Sequence, residues 1–137
     1  MKTTSSIMQP SNFLKSALLA DAIVSGATGL LLFLGAEFLA GLLQLPETLL
    51  RPAGLFLLPY AALVAFLATR VNPPTWAVWA IILTNTLWAI ESIVLLFGGS
   101  VTPNVLGYTF VIAQALVVAG FAGAQFVGLQ ERQKVVA

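Results

Sequence analysis

Four long apolar stretches constrain this chain more than any other feature. They cover residues 13–35, 49–69, 75–97 and 104–129, and each reaches the roughly 20 residues that a helix needs to cross the hydrocarbon core of a bilayer. Charged residues make up only 8% of the chain, against about 25% in a soluble domain. Because the parts between the stretches are too short for a second domain, the sequence predicts a single four-helix membrane domain over residues 1–137.

The connections between the spans predict their arrangement. Residues 37–45 are too few to cross a membrane but apolar enough to lie in its interface as a short helix that ends near Pro46. Pro73 and Pro74 end the second span and suit the start of the third, which predicts a tight antiparallel hairpin. The Gly-rich segment 98–103 predicts a second hairpin. The expected fold is therefore all-α: an up-down-up-down four-helix transmembrane bundle with a short interfacial helix between spans one and two.

The basic residues predict how the bundle is oriented. With four spans, both ends of the chain lie on the same side of the membrane. The basic residues expected on that side are Lys2, Lys15, Arg70, Arg132 and Lys134. Only Arg51 is expected on the other side. Since cytoplasmic loops carry the excess of Lys and Arg, the sequence predicts a multi-pass protein with both termini in the cytoplasm.

Composition also excludes several classes of function. The chain has no Cys and no His, which removes disulfides, thiolate or histidine metal sites, and the Ser–His and Cys–His nucleophile systems. A net charge of +1 gives no long-range field that would attract nucleic acid. The sequence therefore predicts a protein that is not an enzyme, that binds no nucleic acid, and that has no cofactor or metal.

Polar residues inside the spans are the candidates for a binding site or a polar core. At about 100° per residue they fall on one side of each helix, and these sides are expected to face one another because lipid offers no hydrogen-bond partner. The candidates are Asp21, Ser25 and Thr28 in span one, Arg51 at the start of span two, Asn85, Trp88 and Glu91 in span three, and Gln114 and Gln125 in span four.

Two of these candidates are carboxylates, which need compensation within a membrane. An ionised carboxylate at the bilayer centre costs roughly 2.5–3.5 kcal/mol on insertion scales. We expect Arg51 to pair with Glu91, and Arg70 to reach inward to Asp21. The helical rise separates Asp21 from Glu91 by roughly 14 Å along the membrane normal, so the two do not form the closely spaced acid and base of a hydrolase.

The polar residues allow three interpretations. They are hydrogen-bonding contacts that fix the packing of the helices, a proton or solute route, or part of a site for a lipid or quinone. Membrane lipid is the expected partner in each case, together with a second copy of the chain or another membrane protein. Rows of small residues favour close helix packing, either within the chain or between copies. These rows are Ser25 and Gly29 in span one, and Ala115, Ala119 and Gly123 in span four.

Several short motifs resemble a known group of proteins. They are LP at 45–46, LLRPAGL at 49–55, LPYA at 58–61, NTLW at 85–88 and QAL at 114–116. Together they resemble an uncharacterised family of small bacterial integral membrane proteins with four transmembrane helices. The resemblance implies a location in the bacterial inner membrane and supplies no mechanism.

A second resemblance concerns the first span alone. The segment LADAI at 19–23 is similar to the acidic first helix of small multidrug resistance transporters, which also have four spans. The chain has Asp21 where that family has Glu, and it lacks the family's Lys further along the helix. We therefore expect a non-enzymatic structural or interaction protein, with a small proton-coupled transporter that uses Asp21 or Glu91 as the alternative.

Overall fold

The computed structural model describes the backbone of residues 2–136 and the side chains of residues 12–132. Within residues 2–136 the chain forms five helices and no strand. They are α1 (Lys2–Leu34), α2 (Ala36–Leu43), α3 (Glu47–Thr69), α4 (Thr75–Phe97) and α5 (Val105–Val136). Four of them contain segments long and apolar enough to span a membrane: Asn12–Leu34, Glu47–Thr69, Thr75–Phe97 and Val105–Arg132. The predicted multi-pass four-helix bundle is confirmed.

Helix α2 is the short helix expected between the first two spans. Gly35 separates it from α1, and Gln44 ends it with a left-handed backbone conformation at φ 56°. Leu39 and Leu43 are buried while Phe38 is exposed, so the helix has one inward face. Its eight residues are too few to cross a bilayer.

Asn104 joins the end of α2 to the start of α5. Its side-chain oxygen accepts a hydrogen bond from the backbone N–H of Gly107 at 2.8 Å, as an N-cap residue does. Its side-chain nitrogen donates to the carbonyl of Leu42 at 2.8 Å, and its backbone N–H donates to the carbonyl of Leu43 at 3.2 Å. These bonds satisfy carbonyls that the end of α2 would otherwise leave without partners.

The packing of α3 and α4 differs from the tight hairpin expected for them. Pro73 and Pro74 do separate the two helices, but the backbone of α3 packs along α1 and that of α4 packs along α5. Helix α1 also packs along α5, so α1 and α5 form the middle of the bundle. Helices α3 and α4 meet instead through side chains, such as the stacked rings of Phe56 and Trp88 with centroids 5.9 Å apart.

Helices α1 and α3 approach closely at two glycines. A Cβ atom placed on Gly54 would lie 2.5 Å from the backbone nitrogen of Phe33 and 2.7 Å from the carbonyl oxygen of Gly29. Only a residue without a side chain fits there, which explains the burial of the small-residue row in span one. The row in span four behaves differently, because Ala119 and Gly123 are exposed.

Charge is distributed unevenly between the two ends of the bundle. Lys15, Arg70 and Arg132 lie at the end that holds the start of α1 and the α3–α4 connection, whereas Arg51 lies at the start of α3. This is the distribution on which the predicted orientation rests. Lys2 and Lys134, which the same prediction used, lie outside the residues whose side chains are described.

Candidate functional site

Five buried polar side chains from four helices meet in the middle of the bundle. Asp21 and Ser25 come from α1, Tyr60 from α3, Asn85 from α4 and Gln125 from α5, and we call this group the Asp21 centre. Asp21 and Gln125 are completely inaccessible to solvent, and the exposed fraction of the others is at most 8%. The polar sides of three helices therefore face one another, as expected for hydrogen-bonding groups in a bundle surrounded by lipid.

The carboxylate of Asp21 is the common acceptor of the Asp21 centre. Its Oδ2 atom lies 3.0 Å from the hydroxyl of Tyr60, 2.8 Å from the side-chain nitrogen of Asn85 and 2.8 Å from that of Gln125. Its Oδ1 atom accepts a hydrogen bond from the hydroxyl of Ser25 at 2.9 Å. Neutral donors thus surround the carboxylate, and each of the other three spanning helices supplies one of them.

The remaining polar atoms of the Asp21 centre bond to one another. Asn85 also donates to the side-chain oxygen of Gln125 at 3.1 Å, and the hydroxyl of Tyr60 lies 2.8 Å from the side-chain oxygen of Asn85. Among residues 12–132, no buried side-chain nitrogen or oxygen lacks a hydrogen-bond partner. A buried polar network with every member partnered holds its helices in one arrangement.

The number of protons in the Asp21 centre has a chemical consequence. Tyr60 has one hydroxyl proton, yet its oxygen lies within hydrogen-bond distance of oxygens on both Asp21 and Asn85. When Asp21 is ionised, one of these two oxygen–oxygen contacts therefore has no proton. A proton on the carboxyl group of Asp21 would supply it, because Asp21 would donate to Tyr60 and Tyr60 to Asn85.

Two predictions about ion pairs are wrong. Arg51 pairs with Glu47, one helical turn earlier, and donates to the carbonyl of Phe33 at 3.0 Å, so it does not reach Glu91. A carboxylate four residues away on the same helix is always within reach of an arginine, whereas Glu91 lies on another helix.

The second of these predictions placed Arg70 beside Asp21. Arg70 is exposed, and its guanidinium carbon lies 5.7 Å from the centre of the Phe66 ring. The carboxylate already has donors from three helices, and moving a guanidinium into the bundle would add a large desolvation cost.

Tyr60 is the member of the Asp21 centre that sequence reasoning missed. Its phenol is mostly apolar, so it does not stand out within an apolar span. The feature of the sequence that could have identified Tyr60 is its hydroxyl, which needs a hydrogen-bond partner when it is buried.

A second polar cluster lies between α4 and α5. The indole N–H of Trp88 donates to the side-chain oxygen of Gln114 at 2.8 Å. The nitrogen of Gln114 donates to the hydroxyl of Ser92 at 2.9 Å and to the carbonyl of Val111 at 2.8 Å. These bonds fix the orientation of the Trp88 indole, which also stacks on the ring of Phe56.

Beside this cluster lies a cleft of about 480 Å³, which we call the α3–α4 cleft. Residues of α1, α3, α4 and α5 line it, together with Leu45. Most of the lining is apolar. The polar residues that line it are Thr28, Thr48, Trp88, Glu91, Ser92 and Gln114. Three candidates lie outside both clusters. Thr28 and Glu91 line this cleft, where Glu91 is exposed, and Arg51 does not line it.

Comparisons with known proteins add no information about the bundle or its polar groups. No family model matches the chain, and comparisons with curated proteins and with solved structures also give no match. The resemblance to small bacterial four-span proteins therefore stays a prediction. What the structure establishes is a multi-pass membrane fold with a buried polar centre and a cleft lined by residues of α1, α3, α4 and α5.

Proposed function

We propose that the protein is a non-enzymatic integral membrane protein of the bacterial inner membrane that binds a lipid or quinone in the α3–α4 cleft. Both termini lie in the cytoplasm in this proposal. The Asp21 centre has a structural role and fixes the packing of the four spanning helices, and the interaction with a ligand takes place at the cleft.

The observation that carries this proposal is the cleft itself. A volume of about 480 Å³ falls within the roughly 300–1,000 Å³ of small-molecule sites, which are mostly apolar with a few polar groups that orient the ligand. The α3–α4 cleft has this composition, with Leu32, Leu50 and Leu95 among its apolar residues and with Ser92 and Glu91 on one wall.

The position of the cleft favours a hydrocarbon chain as occupant. It lies between two spanning helices, α3 and α4, whose backbones do not pack closely, and in this proposal it opens toward the surrounding lipid. Water in such an apolar space would lack hydrogen-bond partners, whereas an acyl or isoprenoid chain has no hydrogen bonds to lose when it enters. The exposed carboxylate of Glu91 is available to a polar head group at the same site.

The polar centre supports a structural role and no catalysis. Each of its buried polar atoms has at least one hydrogen-bond partner, and its residues are at most 8% exposed. The hydrogen bonds cross from α1 to α3, α4 and α5. Such bonds between transmembrane helices stabilise packing by about 0.6 kcal/mol each on average.

Filling the cleft tests the proposal. Ala53 lines the cleft on α3, and an Ala53→Trp variant should remove most of the ligand that copurifies with the protein, because the indole would occupy the space. Ala62→Trp is the matched control, since Ala62 is exposed on the same helix. Native mass spectrometry of the two variants measures retention and separates quinone from phospholipid by mass. Equal retention in both variants would contradict the proposal.

A small proton-coupled transporter is the second candidate, and the position of the Tyr60 hydroxyl between oxygens of Asp21 and Asn85 favours it. In this case liposomes containing the wild-type protein should dissipate an imposed pH gradient faster than liposomes with Asp21→Asn, measured with an enclosed pH-sensitive dye. Identical rates for the two proteins would exclude a proton route through Asp21.

A further inference from the structure

Three basic residues that are distant in sequence line one cavity at the end of the bundle opposite the α3–α4 cleft. Lys15 belongs to α1, Arg70 follows α3 and Arg132 belongs to α5, and together they border a cavity of about 230 Å³. We call it the basic cavity. Its other lining residues are Asn12, Leu14, Leu18, Leu67, Ala68, Val71 and Pro73. Spread along the chain, these cations give no sign in the sequence that they belong to one site.

Arg132 is the buried member of this group. Its exposed fraction is 7%, and its guanidinium donates to the carbonyl of Pro73 at 2.7 Å and to the hydroxyl of Thr75 at 3.1 Å. Both acceptors are neutral. Between residues 12 and 132 the only salt bridge joins Arg51 to Glu47, so no described carboxylate lies within salt-bridge distance of Arg132.

A buried cation with neutral partners favours the binding of an anion. Buried charges in proteins are normally paired, because an isolated charge loses its hydration without compensation. The guanidinium has five N–H groups in a planar fork that suits the oxygens of a phosphate, and two of them bond to Pro73 and Thr75. Among the described residues that line the cavity, three are cations and none is acidic.

We propose that the basic cavity binds the phosphate of an anionic phospholipid head group. The apolar lining favours a lipid over a soluble phosphate, because the exposed side chain of Val71 offers contact to the glycerol and the first methylenes of the chains. The cavity also lies at an end of the spanning helices, the level at which head groups are found. Basic pockets between transmembrane helices bind such head groups. The site shares no lining residue with the α3–α4 cleft and does not depend on the ligand proposed there.

The selectivity of lipid retention tests this proposal. The full-length protein is reconstituted in phosphatidylcholine vesicles that contain a minor fraction of phosphatidylglycerol, and retained lipids are counted by native mass spectrometry. The wild-type protein should retain phosphatidylglycerol in preference. Lys15→Gln and Arg70→Gln should each weaken this preference about fivefold, the effect of one basic group near an anionic lipid. Both side chains are exposed, so these variants keep the fold.

A control variant and a second measurement complete this test. Arg51→Gln removes the same charge as Arg70→Gln but at the other end of the bundle, and it should leave the preference unchanged. Thermal unfolding in neutral detergent should be shifted upward by phosphatidylglycerol and not by inorganic phosphate, with chloride at equal ionic strength as the reference. An equal effect of Arg51→Gln, no preference in the wild-type protein, or an equal shift by inorganic phosphate would overturn the proposal.

Arg132→Gln should have the largest effect on lipid retention. This variant also loses the hydrogen bonds to Pro73 and Thr75, so its retention is compared with that of Arg132→Lys, which keeps the charge and loses the planar fork. Retention that is weakened more by Gln than by Lys supports an anion site. Equal retention by these two variants and the wild-type protein would contradict it.

Discussion

Replacing Asp21 with leucine should lower the free energy of unfolding by roughly 2–4 kcal/mol, the largest effect that we expect from a polar substitution in this chain. The variant removes the acceptor that Ser25, Tyr60, Asn85 and Gln125 share. Four interhelical or local bonds at about 0.6 kcal/mol each set the lower bound. The donors that stay buried without an acceptor raise the cost further. The free energy of unfolding is measured by denaturation with increasing mole fractions of dodecyl sulfate, which is followed by circular dichroism.

Asp21→Asn is the matched control for this prediction. An asparagine oxygen can take the place of Oδ2 and accept from Tyr60, Asn85 and Gln125, while its amide group faces Ser25. We therefore expect this variant to lose less than about 1 kcal/mol, the net value of one hydrogen bond. If the leucine variant is as stable as the asparagine variant, the Asp21 centre does not fix the packing of the helices.

Gly54→Ala should destabilise the bundle by about 2–3 kcal/mol, because the added methyl group has no space. A Cβ atom at Gly54 would lie 2.5 Å from the nitrogen of Phe33 and 2.7 Å from the oxygen of Gly29. Both are backbone atoms of α1, so they cannot turn away as a side chain would. The substitution therefore forces α1 and α3 apart along the pair of helices that pack most closely.

Gly120→Ala is the control for the glycine prediction. A Cβ atom at Gly120 would meet nothing within 4 Å, and both substitutions gain the same helix propensity, about 1 kcal/mol. The difference between the two variants therefore measures the steric effect alone. Gly120→Ala should be as stable as the wild-type protein or slightly more stable in the same dodecyl sulfate titration. Equal stability of the two variants would show that α1 and α3 do not need this close approach.

The spanning helices could be predicted because length and hydropathy determine them directly. The expected third span, residues 75–97, coincides with α4, and the expected second span, 49–69, begins two residues after α3 does. The proline pair at 73–74 and the glycine at 35 mark helix ends for local reasons that a sequence displays. Which helices pack together is not local, and the short connection between α3 and α4 suggested a close pair that the structure does not contain.

The candidate site could be predicted in part for a related reason. Polarity inside an apolar span identified Asp21, Ser25, Asn85 and Gln125, and the structure brings these four together. The partners of Asp21 could not be derived, because the rule that opposite charges pair pointed to Arg70. Neutral donors surround the carboxylate instead, and the hydroxyl of Tyr60 reaches it from a helix whose neighbours only the folded bundle defines.

The position of Asp21 in the first spanning helix has a consequence for biosynthesis. Its donors emerge from the ribosome one after another, with Tyr60 on the second span, Asn85 on the third and Gln125 near the end of the chain, 104 residues after the carboxylate. Until α5 is inserted, the carboxylate of Asp21 lacks the donor that Gln125 supplies, so its hydrogen bonding is complete only after the fourth spanning helix has been made.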